Sequence, residues 1–466
     1  MGKQIDNYNT KIFKGVDLMK AKYTELFRTI VKAYYEGKLE ETIEDMINTP
    51  HIDKEKLCGI ISTLCGVDVQ YSENFVKEVM KAISSYENIH KIVKKVGPCS
   101  SECTSLKGET NCQKSCPFTA IFLSTDDQSS YIDNDICTDC GSCVAGCPND
   151  NILDVVEFMP MAEMIKEGEP VIAAVAPAIM GQFGEDVTIN QLRTAFKKIG
   201  YTDMIEVAFF ADMLTLKEAV EFDHHVKNKE DLMITSCCCP MWVGMLKKVY
   251  NELVNHVSPS VSPMVAAGRV LKKLNPNCKV VFVGPCIAKK AEAKEKDIQG
   301  AIDYVLTFEE LKTIFEALDI RPEELEECDS IEYASRGGRL YARTGGVSIA
   351  VGEAIEKLFP EKHKLFKAIQ ADGVKDCKEL LDKAKNGNVN ANFIEGMGCF
   401  GGCIGGPKVL VPREESRGVV DSFAENSEIK IAVDSSCMNK ILKQIDINSI
   451  EDFKHPERID IFEREF

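Results

Sequence analysis

Cys137, Cys140, Cys143 and Cys147 stand in the run CTDCGSCVAGCP, with two, two and three residues between them and Pro148 directly after. Thiolates at such intervals let one loop wrap three corners of an iron–sulfur cubane, while the fourth cysteine is carried to a neighbouring cluster. Zinc is the lesser alternative for such a set. Upstream, Cys99, Cys103, Cys112 and Cys116 repeat the unit in looser form, three, eight and three residues apart, again followed by a proline, Pro117. Further on, three consecutive cysteines, Cys237, Cys238 and Cys239, precede Pro240. A vicinal disulfide is strained and three thiols in a row pack poorly, so the triplet reads as metal chemistry. Cys286 lies in VGPCIAKKAE, and Cys399 and Cys403 lie in FIEGMGCFGGCIGGP. Glycines there let the backbone close around a bulky inorganic group and aim its amides at it. Three distant segments thus supply four soft ligands, Cys239, Cys286, Cys399 and Cys403, which suits a further four-iron cluster.

These residues need elements to hold them. Residues 96–150 carry eight cysteines among Pro, Gly, Asp and Ser; so little apolar surface calls for a small module held together by its clusters. From about residue 165 the pattern changes. PVIAAVAPAI, MIEVAFFA, DLMITSCC and CKVVFVGPC read as short buried strands. They alternate with helix-like segments such as INQLRTAFKKIG and FEELKTIFEALDI, which predicts parallel strands with helical crossovers. Several strands run straight into Ala176-Pro177, the triple cysteine and Gly284-Pro285-Cys286. Sites in open α/β sheets form at the carboxyl ends of strands. Residues 1–95 hold only Cys58 and Cys65, both among apolar residues as packed thiols. There, VDLMKAKYTELFRTIVKAYYEGKLEETIEDMI has helical spacing. The expected organisation is a helical N-terminal region (1–95), a ferredoxin-like α+β domain with two four-iron clusters (96–160), and an α/β catalytic domain (161–466). In the last, two parallel-sheet lobes surround the active-site cluster.

Composition narrows the function. A net charge of −17 argues against broad nucleic-acid binding. Twenty cysteines in 466 residues, behind an opening stretch without an apolar signal region, point to reduced metal-binding thiols in a cytoplasmic protein rather than a secreted disulfide scaffold. The longest apolar run, VIAAVAPAIM, is too short to span a bilayer. No G-x-G-x-x-G opens a helix, so a nicotinamide or flavin site of that kind is not indicated.

CTDCGSCVAGCP matches the bacterial ferredoxin run. That resemblance implies one cluster on Cys99, Cys103, Cys112 and Cys147 and another on Cys137, Cys140, Cys143 and Cys116. TSCCCPMW, GPCIAKKAE and MGCFGGCIGG resemble, in order, the three signature motifs of the iron-only hydrogenases. The extra cysteine of the first motif, and Gly284 where the second usually has methionine, resemble the sub-branch called group B. The resemblance runs from about residue 95 to the C-terminal region.

It implies three four-iron (4Fe-4S) clusters, two of them relays and one at the active site on Cys239, Cys286, Cys399 and Cys403. Cys403 would also bridge to a di-iron subsite with carbonyl (CO), cyanide (CN) and azadithiolate ligands. Lys289 would hydrogen-bond a cyanide, a charged acceptor suited to an ammonium. Ala176 and Pro177 would line the ligands, and Met397 would pack against the subsite.

A free cysteine beside the first-motif ligand would carry the proton. Anchoring on Pro240 makes that Cys238; anchoring on Thr235-Ser236 makes it Cys237. The turn at the proline favours the first. FFADMLTLKEAVEFDHHV resembles the family helix with two proton-path glutamates, here Glu218 and Glu221, which are three apart and so share a face. Ser262 matches the hydroxyl between them, and His225 stands where the family has an outer arginine. Cys58, Cys65, Cys237, Cys278, Cys328, Cys377 and Cys437 are left as packed or incidental thiols. The implied activity is reversible interconversion of protons and electrons with H2. Ferredoxin is the expected electron partner and dedicated maturation proteins insert the di-iron subsite, with no nucleic acid or membrane involved. The alternatives are a hydrogenase-like iron–sulfur assembly factor and an H2 sensor. Sensors carry a further signalling domain, for which about 60 residues after Cys403 leave no room.

Overall fold

The computed structural model describes residues 19–85, 91–99, 103, 108–126, 129–236, 238–328 and 334–466. Cys237 therefore lies outside the described residues. Compactness divides the chain into two units, one of Met1–Glu163 with Lys312–Ile320, the other of Met164–Leu311 with Arg321–Phe466.

The first unit opens with helices Met19–Tyr35, Leu39–Ile47, Lys54–Leu64 and Phe75–Ser84. The long helical pattern of the sequence breaks at Gly37, whose φ of 71° an L-residue would adopt only with strain. Asp53 caps the third helix by accepting from Lys56 N. Cys58 and Cys65 are fully buried, as the packed-thiol reading expects. Two antiparallel pairs follow. β1 (Val93–Lys95) pairs with β4 (Ile152–Asp154), and β2 (Ile121–Leu123) with β3 (Ser130–Ile132). Between and beside them lie two five-residue helices, Asn111–Ser115 and Ser142–Gly146.

The second unit holds two parallel sheets. In one, the order is β6 (Asp203–Glu206), β5 (Val171–Val175), β8 (Lys279–Gly284), β9 (Tyr304–Thr307). In the other it is β10 (Ala368–Asp372), β11 (Phe393–Met397), β7 (Met233–Ile234). All five strand pairings in these sheets are parallel. β5 and β8 are apolar along nearly their whole length, as strands covered on both faces must be. The segment MIEVAFFA does not continue as a strand. β6 ends at Glu206 and the helix Ala208–His225 begins two residues later. Its apolar residues after Glu206 are buried all round on that helix, and such a run carries no period that separates helix from strand. The strand read in DLMITSCC is only two residues long. Among the described residues no helix is long and apolar enough to cross a membrane.

Candidate metal centres

The cysteine-bearing segments of the second unit each leave the carboxyl end of a parallel strand. β5 runs into Ala176-Pro177, β8 into Pro285-Cys286, β11 into Gly398-Cys399, and β7 into the first motif. Parallel strands end on one side of their sheet, so residues that follow neighbouring strands converge. Cys239 is the N-cap of the helix Pro240–Lys248, with Pro240 in its first turn, where proline's missing N–H is harmless. The Cys239 sulfur accepts from Gly398 N at 3.3 Å, which joins the first motif to the third. Burial raises the Cys239 thiol, and the Cys403 charge adds to that. Cys286 is pushed up to about 12, first by burial and then by Cys239 and Cys403, against the pull of Lys289. Cys403 moves the other way: the Cys238 thiol donates to it and Lys289 stands by, which outweighs its burial. Thiols gathered this closely in a dry interior need positive charge among them, which iron supplies. Cys399 is half-buried and opens the loop to Cys403; between them Gly401 and Gly402 have φ of 88° and 82°. A Cβ on Gly402 would lie 2.7 Å from Thr344 N. No residue but glycine fits there.

Beside these thiols is a small cavity of about 40 Å³, lined by Ala176, Pro177, Cys238, Lys289 and Cys403 with Met264, Phe282 and Tyr341. Phe282 explains the departure at Gly284. A Cβ there would meet the Phe282 ring at 2.7 Å, so the aromatic ring holds the space a methionine side chain would enter. Met397 was expected against this site, but it is the last residue of β11, 1% exposed, and is not among the residues lining the cavity. Met264 and Phe282 line the cavity. The sequence carried no signal for either beyond their neighbourhood to Ser262 and Cys286. Lys289 donates to Glu292 Oε2 at 2.6 Å. Burial disfavours its ammonium, yet Glu292 and the Cys238 and Cys286 thiols turn the net shift upward. Among the described residues no three His, Cys, Asp or Glu groups are placed for a single metal ion. The donor chemistry, sulfur beside a cavity with one cation, fits a polynuclear sulfur-bridged cluster with anionic ligands.

On the helix Ala208–His225, Glu218 is fully buried and both its oxygens accept from Thr235 Oγ1, at 2.8 and 2.9 Å. Thr235 belongs to the first motif and was not singled out from the sequence. Glu221 accepts from Ser258 Oγ at 2.6 Å and from Lys217 Nζ at 3.3 Å. Ser258 Oγ lies 2.8 Å from Ser260 Oγ, which accepts from Lys217 at 3.2 Å. Ser262 does not stand between the glutamates: its hydroxyl accepts from Val265 N, capping the helix Pro263–Leu274, and bonds neither carboxylate. A Ser-Pro pair at a helix start is claimed by capping before anything else. The hydroxyl beside Glu221 is Ser258, four residues earlier. Glu221, Lys217, His224, His225, His256 and Glu463 line an open cavity of about 410 Å³, so the outer glutamate reaches solvent and His225 stands at that mouth.

In the first unit the eight cysteines of residues 96–150 fall into two groups. The charges acting on Cys103 are those of Cys112, Cys147 and Cys99. Those on Cys143 come from Cys140, Cys137 and Cys116, with Cys112 last. The two halves repeat one design. Cys112 and Cys143 sit inside the two short helices, and Cys116 and Cys147 cap them with nearly equal backbone angles (φ −81°, ψ 110° and φ −86°, ψ 110°). A Cβ on Gly146 would meet Ser115 Oγ at 2.2 Å, so glycine permits the close approach of the helices. Backbone amides donate to sulfur at Cys99, Cys116, Cys137 and Cys147, from Ser130, Ala120, Asp139 and Asn151, at 3.2 to 3.4 Å. Such donors favour thiolates. Tyr23 OH and Thr138 Oγ1 are buried without a hydrogen-bond partner; burial and then the charges of Asp150 and Cys147 act on the first, and the second follows Cys137 in the chain. Orphaned buried hydroxyls next to gathered thiols fit an iron–sulfur cluster as the missing acceptor.

Residues 169–407, just over half the chain, match the family described as iron only hydrogenase large subunit, C-terminal domain. Iron hydrogenase 1 of Clostridium pasteurianum is 30% identical over 285 residues, 51% of this chain and 49% of that protein. Cytosolic iron-sulfur assembly component 3 of Rattus norvegicus is 26% identical over 281 residues, 49% of this chain and 59% of that protein. The chain spans about half the length of the curated hydrogenases it matches first. A solved apo FeFe-hydrogenase from Chlamydomonas reinhardtii shares the fold, with a TM-score of 0.52 at 21% identity over 59% of this chain and 89% of that one.

Proposed function

The chain belongs to the iron-only hydrogenase large-subunit family, and from that premise we propose that it interconverts H2 with protons and electrons rather than assembling iron–sulfur clusters. The supporting observation is the cavity itself. A protein that only held a four-iron cluster would have no use for a space beside it walled by Ala176-Pro177, a second thiol at Cys238 and the buried ammonium of Lys289. In this reading Cys239, Cys286, Cys399 and Cys403 hold the active-site cluster and Cys403 also bridges to the di-iron subsite. That group, when bound, would supply the redox and hydrogen chemistry.

The chain's own residues do the rest. Lys289 offers N–H donors to an anionic ligand. The apolar walls exclude water. Cys238 holds the proton nearest the cavity. Glu218 is the inner carboxyl station, oriented by Thr235, and Glu221 the outer one, oriented by Ser258 and Lys217 at the open cavity. The eight cysteines between residues 96 and 150 hold two relay clusters in a ferredoxin-like arrangement. Ferredoxin is the electron partner in the cytoplasm, maturation proteins insert the di-iron subsite, and the extra first-motif cysteine supports membership of group B.

An infrared spectrum of the matured protein is the deciding experiment. Bands from metal-bound carbonyl and cyanide are expected; a correctly matured protein with a full four-iron cluster and no such bands would be an assembly factor.

A further inference from the structure

Residues 462–464 run alongside residues 259–261. Val261 N donates to Phe462 O at 2.9 Å, Arg464 N donates to Pro259 O at 2.8 Å, and Ser260 and Glu463 form an antiparallel bridge. Extended backbone sends successive side chains to opposite sides. Glu463 accordingly meets Lys217 at 3.5 Å, while Arg464 turns to a different set of charges. Arg464 Nε lies 3.0 Å from Asp297 Oδ2, another of its nitrogens bonds Glu295, and Nη1 lies 3.9 Å from Glu292 Oε1. The other oxygen of Glu292 is the one that binds Lys289 Nζ at 2.6 Å. The side chains of Arg464 and Glu292 are 2% and 3% exposed. One buried carboxylate is therefore shared by two buried cations, and of the two only Lys289 lines the cavity with Cys238 and Cys403.

In a dry interior, screening by solvent is weak and the partition of a shared carboxylate between two cations matters. We propose that Arg464 is a positioning residue for Lys289: by holding Glu292 from the far side, it keeps that carboxylate from closing fully on the ammonium and leaves an N–H of Lys289 to donate into the cavity. Glu295 and Asp297 restrain Arg464 in turn, and so set how much of its charge Glu292 receives. The inference rests on the hydrogenase reading, in which the acceptor is a cyanide of the di-iron subsite.

The test uses infrared spectra of the matured protein, which report the cyanide directly and do not depend on turnover. Arg464→Met keeps bulk and removes charge; Glu292 then closes on Lys289, and the cyanide bands shift. Asp297→Asn frees Arg464 toward Glu292 and shifts the same bands in the opposite sense. Glu463→Gln alters the neighbouring residue, which contacts Lys217 and not Glu292, and leaves the bands in place. Cyanide bands that stay put in both Arg464→Met and Asp297→Asn, or that move as far in Glu463→Gln, overturn the inference while leaving the hydrogenase reading intact. A wild-type protein without carbonyl and cyanide bands removes both. Should Arg464→Met not fold, the Asp297→Asn shift decides alone.

Discussion

At Cys239 the sulfur begins a helix and accepts an amide from the third motif, whereas the Cys238 thiol, one residue earlier, donates to Cys403. The two positions should fail differently. Cys239→Ser should lose the active-site cluster or bind it poorly, because a hydroxyl is a weak ligand for iron beside a thiolate. Cys238→Ala should keep the cluster and stop turnover. Iron content and dye-linked H2 production separate the two, and Cys237→Ala should be the mildest of the three; if it is inactive while Cys238→Ala works, the proton carrier is Cys237. Glu218 is the sharper case. It is fully buried with Thr235 on both oxygens, so Glu218→Gln keeps size and hydrogen bonding while removing the exchangeable proton. Turnover should fall at least about a hundredfold, the low end for lost acid–base help, with all clusters retained. Unchanged turnover would leave this glutamate a structural partner of Thr235.

Among the elements, the turn between β11 and Cys403 has little tolerance. Gly402 combines a φ of 82° with backbone contacts that a Cβ would bring to 2.7 and 2.9 Å. Strain in the left-handed region costs about 1–3 kcal/mol, and the contact with Thr344 N and Arg343 adds to it because backbone cannot swing aside. Gly402→Ala should lower the thermal unfolding temperature and reduce iron bound by the active-site cysteines. Gly418, where a Cβ meets nothing within 4 Å, provides the comparison. Equal unfolding temperatures for Gly402→Ala and Gly418→Ala would show that the turn relaxes freely.

For the whole molecule, iron content and pH dependence carry the tests. On the proposed reading, three four-iron clusters and a di-iron subsite would give about 14 iron atoms per matured chain; an anaerobic count that stays at about eight would remove the active-site cluster. Asp212 is buried, accepts from Ser335 N and Ser335 Oγ at 2.7 and 2.5 Å, and is pushed up to about 7, chiefly by burial. The folded chain therefore holds a proton there that the unfolded chain gives up from about pH 4 upward. Stability should fall as pH rises from about 4 to about 7, by up to about 4 kcal/mol from this group, and level off above. Buried Glu395 is shifted the same way, first by burial, and adds to the slope. Asp212→Asn should flatten the slope in denaturant titrations at several pH values; an unaltered slope would mean that Asp212 is ionised in the fold throughout.

The candidate ligands are read from the chain alone because iron–sulfur loops are local: C-x2-C-x2-C lets three thiols within seven residues reach one cluster. The parallel sheets were legible from apolar runs that stop at Pro, Gly and Cys, since strands covered on both faces must be continuously apolar. Helix against strand within MIEVAFFA was not, because a fully buried segment has no polar face to mark its period. Nor was the division of labour among the serines. Ser258, Ser260 and Ser262 alternate in one short stretch, and only the helix that starts at Pro263 and the helix that presents Glu221 decide which caps and which reaches the carboxylate. The same holds for Phe282 taking the space beside Gly284, and for Glu463 and Arg464 arriving at Lys217 and Glu292 from some 170 to 250 residues away. Spacing determines what a loop can bind. Contacts between segments far apart in sequence, set by packing and by the burial of charge, decide which neighbours tune it.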